Sequence, residues 1–303
     1  MRIRPAAAAV FLATALPATV TPASAQAADR AAPSDTTFSK VVVNGGEDIV
    51  LGLTTRKTIT ITWTAKDPDG VAASWAYLWH GPNTDDADGI LPTYPPAGTC
   101  KVSPTERTTS TCKVSFAVDA ARDVDANGLA GTWKVLAEAQ DANDDWTAVD
   151  VVTTAKFKRY AKMTVNASPE PVKKGKSITV TGKLSRANWE SGTYTGYEGR
   201  SVQLQFRKKG STTYTTLKTI TSGRSGALKT TTKAGTDGYF RFRFTGTATT
   251  GPATAAGDFV DSDDGGGPGA ATAPGTPTRW ANAAVSEHAP RTTPSSATAV
   301  PPP

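Results

Sequence analysis

Carboxylates in tight turns are the commonest chemical signal in this chain. Four turns carry them: Asp67/Asp69, Asp85/Asp86/Asp88, Asp123/Asp125/Asn127, and Asp141/Asn143/Asp144/Asp145. Calcium takes six to eight oxygen ligands, and alternating Asp and Asn on one turn supplies several at once. The run Asp123-Val124-Asp125-Ala126-Asn127-Gly128 matches the first half of an EF-hand loop, but Lys134 stands where the closing Glu belongs. A calcium site here must therefore borrow ligands from a second turn. The ordinary reading competes with it: Asp and Asn are good turn formers and face solvent.

Two other residue sets could bind. Trp75, Tyr77 and Trp79 alternate, so they share one face of a strand. Exposed, that row could stack on the sugar rings of a polysaccharide. A Trp at this place in a β-sandwich is more often a core residue, and the expectation is that the row points inward. Further on, Gln203, Gln205 and Arg207 share a face, and so do Arg241 and Arg243. If their strands are neighbours, they form one basic sheet face. Lys173, Lys174, Lys176, Lys208 and Lys209 add to its field. Such a face could hold an anionic cell-wall polymer, phospholipid or nucleic acid by charge. No aromatic platform is visible between the arginines, which argues against nucleic acid. A merely solvated face is the alternative.

Catalytic signals are thin. Two His and two Cys are too few for most zinc, haem or iron–sulfur sites. His80 and His288 have no adjacent Ser or Cys to suggest a triad. Gly175-Lys176-Ser177 fails as a phosphate loop, because Glu170 replaces the first Gly. The expectation is a protein that is not an enzyme. An enzyme with dispersed carboxylates is the remote alternative.

The 303 residues suggest two domains. Net charge is +6, but it is unevenly spread. Residues 38–158 carry 11 basic and 16 acidic side chains; residues 159–249 carry 17 and 4. An acidic block is thus joined to a strongly basic one. Arg2, Arg4, the apolar run 6–16 and Ala23-Ser24-Ala25 read as a secretory signal peptide over residues 1–28. No later stretch is long and apolar enough for a membrane span. Cys100 and Cys112, close together in an exported chain, are expected to form a disulfide.

The elements that must position these residues are strands. Short alternating runs rich in Thr, Val, Ile and aromatics recur between Gly, Asp, Asn and Pro, the pattern of all-β sandwiches. In the first block, a first strand within 38–53 is followed by 57–63, 73–80, 112–118, 131–140 and 147–160. In the second, Ile178/Val180/Leu184, Val202/Leu204/Phe206 and Phe240/Phe242/Phe244 mark inward faces. Two tandem immunoglobulin-like sandwiches follow, over 38–158 and 159–262. A low-complexity tail over 263–303 is expected to be disordered. The join at 156–160 lacks Gly and Pro, which predicts stiff coupling. In such a sandwich the turns after the second and fifth of these strands meet at one end. That would bring Asp67 and Asp69 to Asp141, Asn143 and Asp145. The other end would bring Asp85, Asp86 and Asp88 to Asp123, Asp125 and Asn127. It would also face Lys156, Lys158 and Arg159, so calcium and an acid–base contact between domains compete there.

The segments PVKKGKSITVTGKLSRANW (171–189), GRSVQLQFRKKGSTTYTTLKTI (199–220) and DGYFRFRFTGTATT (237–250) resemble a module frequent in secreted proteins of high-GC actinobacteria, especially Streptomyces. TITITWTAKDPDGVAASW (58–75) and GTWKVLAEAQDANDDW (131–146) resemble the immunoglobulin-like domain often found ahead of it. The resemblance implies fold and export, with calcium binding in some members. It brings no catalytic residues. Such modules close on a strand like GDFVDV plus a basic residue; here 257–261 is followed by Ser262-Asp263-Asp264. That departure suggests a tail added by frameshift or read-through.

Overall fold

A computed structural model describes residues 35–263. The expected signal peptide and all of the tail beyond Asp263 lie outside the described residues.

The first sandwich is built from nine strands: β1 Thr37–Val43, β2 Ile49–Leu51, β3 Arg56–Lys66, β4 Val71–His80, β5 Gly89–Leu91, β6 Thr99–Val102, β7 Thr109–Asp119, β8 Gly131–Asp141 and β9 Trp146–Arg159. One sheet runs β1-β3-β7-β6 and the other β2-β9-β8-β4-β5. Alternation drives this. Along β3, Ile59, Ile61, Trp63 and Ala65 are buried while the intervening residues are not, as β-branched residues on a half-buried pleat require. Along β8, Trp133, Val135, Ala137 and Ala139 face inward.

The two core indoles decide which face of β4 can point in. Trp63 is fully buried and donates from Nε1 to Ser74 Oγ at 2.9 Å. Trp133 stacks on Phe157 at 4.6 Å and donates to the Leu129 carbonyl. Between such volumes only small or slim side chains fit, and β4 supplies Ser74, Ala76 and Leu78. The opposite face, Trp75, Tyr77 and Trp79, therefore points outward. The expectation that this row lies in the core is corrected.

The second sandwich follows with almost no linker. Its strands are β10 Ala161–Met163, β11 Asn166–Ser168, β12 Val172–Lys173, β13 Ser177–Asn188, β14 Thr193–Gly196, β15 Ser201–Lys208, β16 Thr215–Thr221, β17 Ala227–Lys233, β18 Gly238–Phe244, β19 Ala253–Thr254, β20 Asp258–Val260 and β21 Ser262–Asp263. The long β13 pairs β10, β11, β14 and β17; opposite it lies β16-β15-β18-β19, with β20 also on β18. Ile178, Val180, Leu184, Val202, Leu204, Phe240, Phe242 and Phe244 form its core.

The two sandwiches form one compact unit. Trp189, from the turn after β13, packs into the first sandwich's core and donates from Nε1 to the Gly52 carbonyl at 3.0 Å. Tyr160 bridges the backbones, donating to Leu51 O and accepting from Ala187 N, each at 2.8 Å.

Candidate functional site

At one end of the first sandwich the β3–β4 and β8–β9 turns meet. Asp67, Asp69 and Asp141 each offer a carboxylate oxygen, all within 4.8 Å of one another. Asp67 and Asp141 are buried; Asp69 is exposed. Ala142 N to Gly70 O at 3.1 Å stitches the two turns, and Asp67 N donates to Thr108 O of the β6–β7 loop at 2.8 Å. The buried carboxylates also work locally. Asp67 Oδ1 accepts from Asp69 N at 2.9 Å and Oδ2 from the Thr36 hydroxyl at 2.5 Å. Asp141 Oδ1 accepts from Asn143 N and Asp145 N at 2.8 and 3.0 Å. Asn143 and Asp145 thus reach this end through backbone N–H groups. The donor set is all oxygen, the chemistry calcium takes.

At the other end the expected second cluster does not assemble. Asp88 Oδ1 lies 2.5 Å from His80 Nδ1, and Asp86 accepts from Asn83. Asp85 is exposed on the same turn. Asp123 accepts from Asp119 N at 2.7 Å, capping its own turn, and Asp125 is exposed. Among the described residues the acids here form no group close enough to share an ion. The physical reason is that the bonded acids here take partners close in sequence, Asp88 with His80, Asp86 with Asn83 and Asp123 with Asp119 N. The expected acid–base contact between domains is also replaced. Lys158 pairs with Asp48 at 2.6 Å, Lys156 bonds Thr132, and Arg159 bonds Asn127. Asn127 alone of that set reaches the join.

Trp75 and Tyr77 of the outward row line a shallow cleft of about 430 Å³ with Trp146, Glu138, Ile90, Thr93 and Pro95. Trp75 stacks on Trp146 at 5.1 Å. Trp146 is more than half exposed. Trp79 is covered: Lys134 sits over its ring at 4.0 Å and its Nε1 donates to Asp150 O. Burial pushes the Glu138 carboxyl up. Burial, then Glu138 and Asp150, pushes the Tyr77 phenol up. Trp146 and Glu138 belong to this face and were not among the sequence candidates. Their signal was the β4–β8–β9 register.

On the second sandwich the arginine strands are neighbours. β15 pairs β18 with Gln203 opposite Arg243, Gln205 opposite Arg241 and Arg207 opposite Tyr239. Arg241 donates from Nε to Gln205 Oε1 at 2.9 Å and lies 3.5 Å over the Tyr214 ring. Arg207 lies 4.1 Å over Tyr239, and Tyr239 packs on Phe259 at 5.2 Å. Tyr214 beside Arg207 holds that guanidinium more firmly charged. Aromatics therefore do interleave the arginines, which corrects the sequence reading. Tyr214 comes from the β15–β16 loop and Phe259 from β20, distant stretches that no local spacing connects. Lys208 is exposed, whereas Lys209 reaches Asp237 at 3.5 Å.

No protein-family model matches the chain, and no curated relative matches it. Solved structures give loose overlays. Fibronectin(III)-like modules of Clostridium thermocellum CbhA share 14% identity over 74% of this chain and 91% of theirs, TM-score 0.32. The D00-D0 domain of intimin shares 16% over 73% and 98%, TM-score 0.24. The ectodomain of mouse nectin-like molecule 4 shares 15% over 78% and 67%, TM-score 0.25. The immunoglobulin-like assignment rests on the strand order described above. No helix among the described residues is long and apolar enough to cross a membrane.

Proposed function

We propose that this is an exported, non-catalytic immunoglobulin-like protein that holds an anionic cell-wall polymer on the β15–β18 face. The observation that carries this reading is the ladder Tyr239, Arg207, Tyr214, Arg241. Its guanidiniums lie over aromatic rings, and among the described residues neither forms a salt bridge to a carboxylate. Guanidiniums fixed in this way recognise phosphate and carboxylate with little ordering cost. Export is supported by the N-terminal segment and by the Cys100–Cys112 disulfide. The test is co-sedimentation of the full chain with insoluble cell wall. Retention should fade with rising salt. The Arg207→Ala/Arg241→Ala double variant should bind at least about tenfold more weakly, since each lost charge-assisted bond is worth roughly 1.5–3 kcal/mol. Retention unaffected by either change would end this reading.

A second reading rests on the Trp75–Trp146 stack, an exposed platform of the kind sugar rings cover. Polysaccharide retention through it should resist salt and be lost in Trp146→Ala.

Calcium is proposed as a structural ligand of the first sandwich. Asp67, Asp69 and Asp141 would hold it and tie the two turns together. Calcium should raise the thermal midpoint saturably, in the millimolar range of extracellular modules, and chelator should reverse it. No shift in that range would end the metal idea.

A further inference from the structure

The join between the sandwiches buries positive charge that no salt bridge among the described residues pairs. Arg159, the last residue of β9, is 6% exposed. Its Nη1 donates to Asn127 Oδ1, while its Nε is buried with no hydrogen-bond partner. Arg186 of β13 lies alongside. It donates to Thr250 Oγ1 at 3.3 Å and stacks over Tyr197 at 3.9 Å. Arg200 lies over the same ring at 4.6 Å. Among the described residues neither Arg159 nor Arg186 forms a salt bridge. The nearest acid, Glu190, already accepts from Asn127 N.

Two guanidiniums side by side in a desolvated place repel each other and cost stability unless an anion joins them. An orphan buried donor calls for a partner of its own, and an ion is one of the few that fits. The surrounding field agrees. Burial and then Arg186 bring the Arg159 guanidinium down to about 10, still charged at neutral pH. Burial alone would push the Tyr197 phenol up. Thr247, Thr250, Arg186 and Arg200 outweigh that and bring it below its ordinary value.

We propose that the sandwich junction binds a small oxyanion of the phosphate or sulfate class between Arg159 and Arg186. The unpartnered Arg159 Nε supplies a further donor. The ion is either free or carried at the end of a phosphorylated chain. This site is separate from the β15–β18 face and does not depend on it.

The test is thermal unfolding of the full chain in inorganic phosphate, in an oligophosphate, and in chloride at matched ionic strength. Either phosphate should raise the midpoint by several degrees and saturate. General stabilisation by exclusion of such ions from the protein surface does not saturate. The Arg186→Gln variant is doubly diagnostic. Without phosphate it should melt at or above the parent, because one of two repelling charges is gone. With phosphate the saturable part of the shift should vanish. Phosphorus NMR line broadening on the unmodified protein gives a readout that needs no variant. The Arg207→Ala/Arg241→Ala protein should keep the full shift, so the two readings stand or fall apart. Absence of a saturable shift and of broadening overturns the proposal, as does a shift that Arg186→Gln retains.

Discussion

The Asn127 side chain ties three partners at the join. Its Oδ1 accepts from Arg159 Nη1 and from Trp189 N, and its Nδ2 donates to Asn188 Oδ1. Removing it leaves partly buried donors unsatisfied, so Asn127→Ala should cost about 1–3 kcal/mol, read as a lower denaturation midpoint. Asp119 makes a prediction in pH. The Ala121 N–H, then Arg56, holds its carboxyl below the usual aspartate range. A lowered folded value means its stabilisation is complete above the unfolded value, near 4. It is lost as pH falls through the folded one. The midpoint should drop as pH falls below about 4, and less steeply in Asp119→Asn. At this scale the sequence was a mixed guide. The meeting of Asp67 with Asp141 was legible, because it follows from sandwich connectivity. The inward or outward sense of Trp75, Tyr77 and Trp79 was not, because β4 is apolar on both faces. Only the volumes of Trp63 and Trp133 across the core settle it. Arg159 was expected at the junction facing acids, since nothing local announces that it meets Asn127 and Thr250 there.

The strands themselves were largely readable from alternation, and the register between them was not. β15 and β18 each showed a basic face. Their pairing puts Arg207 beside Tyr239, but Tyr214 and Phe259 reach the same surface through a loop and a late edge strand. A platform assembled from four separate stretches has no sequence period. The disulfide is the opposite case: twelve residues of separation forecast a local loop, and Cys100 of β6 bridges Cys112 of β7 as direct cross-strand partners. It fastens the short edge strand Thr99–Val102 to its sheet. Closing so small a loop is worth about 3 kcal/mol in the chain-entropy account. Reduction should therefore lower the melting midpoint. Hydrogen exchange should show β6 opening first, with β13–β17 unchanged.

The molecule as a whole joins an acidic sandwich to a basic one, with β9 ending at Arg159 and β10 starting at Ala161. Trp189 is the device that couples them, a side chain of the second sandwich seated in the core of the first. Urea unfolding followed by indole fluorescence, which reports mainly the first sandwich, and by far-ultraviolet dichroism should give coincident transitions. Trp189→Ala, at a cost of about 3–5 kcal/mol, should pull them apart. Coincidence persisting in that variant would show that the coupling lies elsewhere. One further property follows from the parallel pairs, β2 with β9 and β12 with β21. In each sandwich an early strand lies parallel to the last. A pull on the two chain ends loads each such pair lengthwise, so its hydrogen bonds must fail together and cannot be peeled one by one. Resistance to force is then set by the unfolding barrier and not by the equilibrium stability.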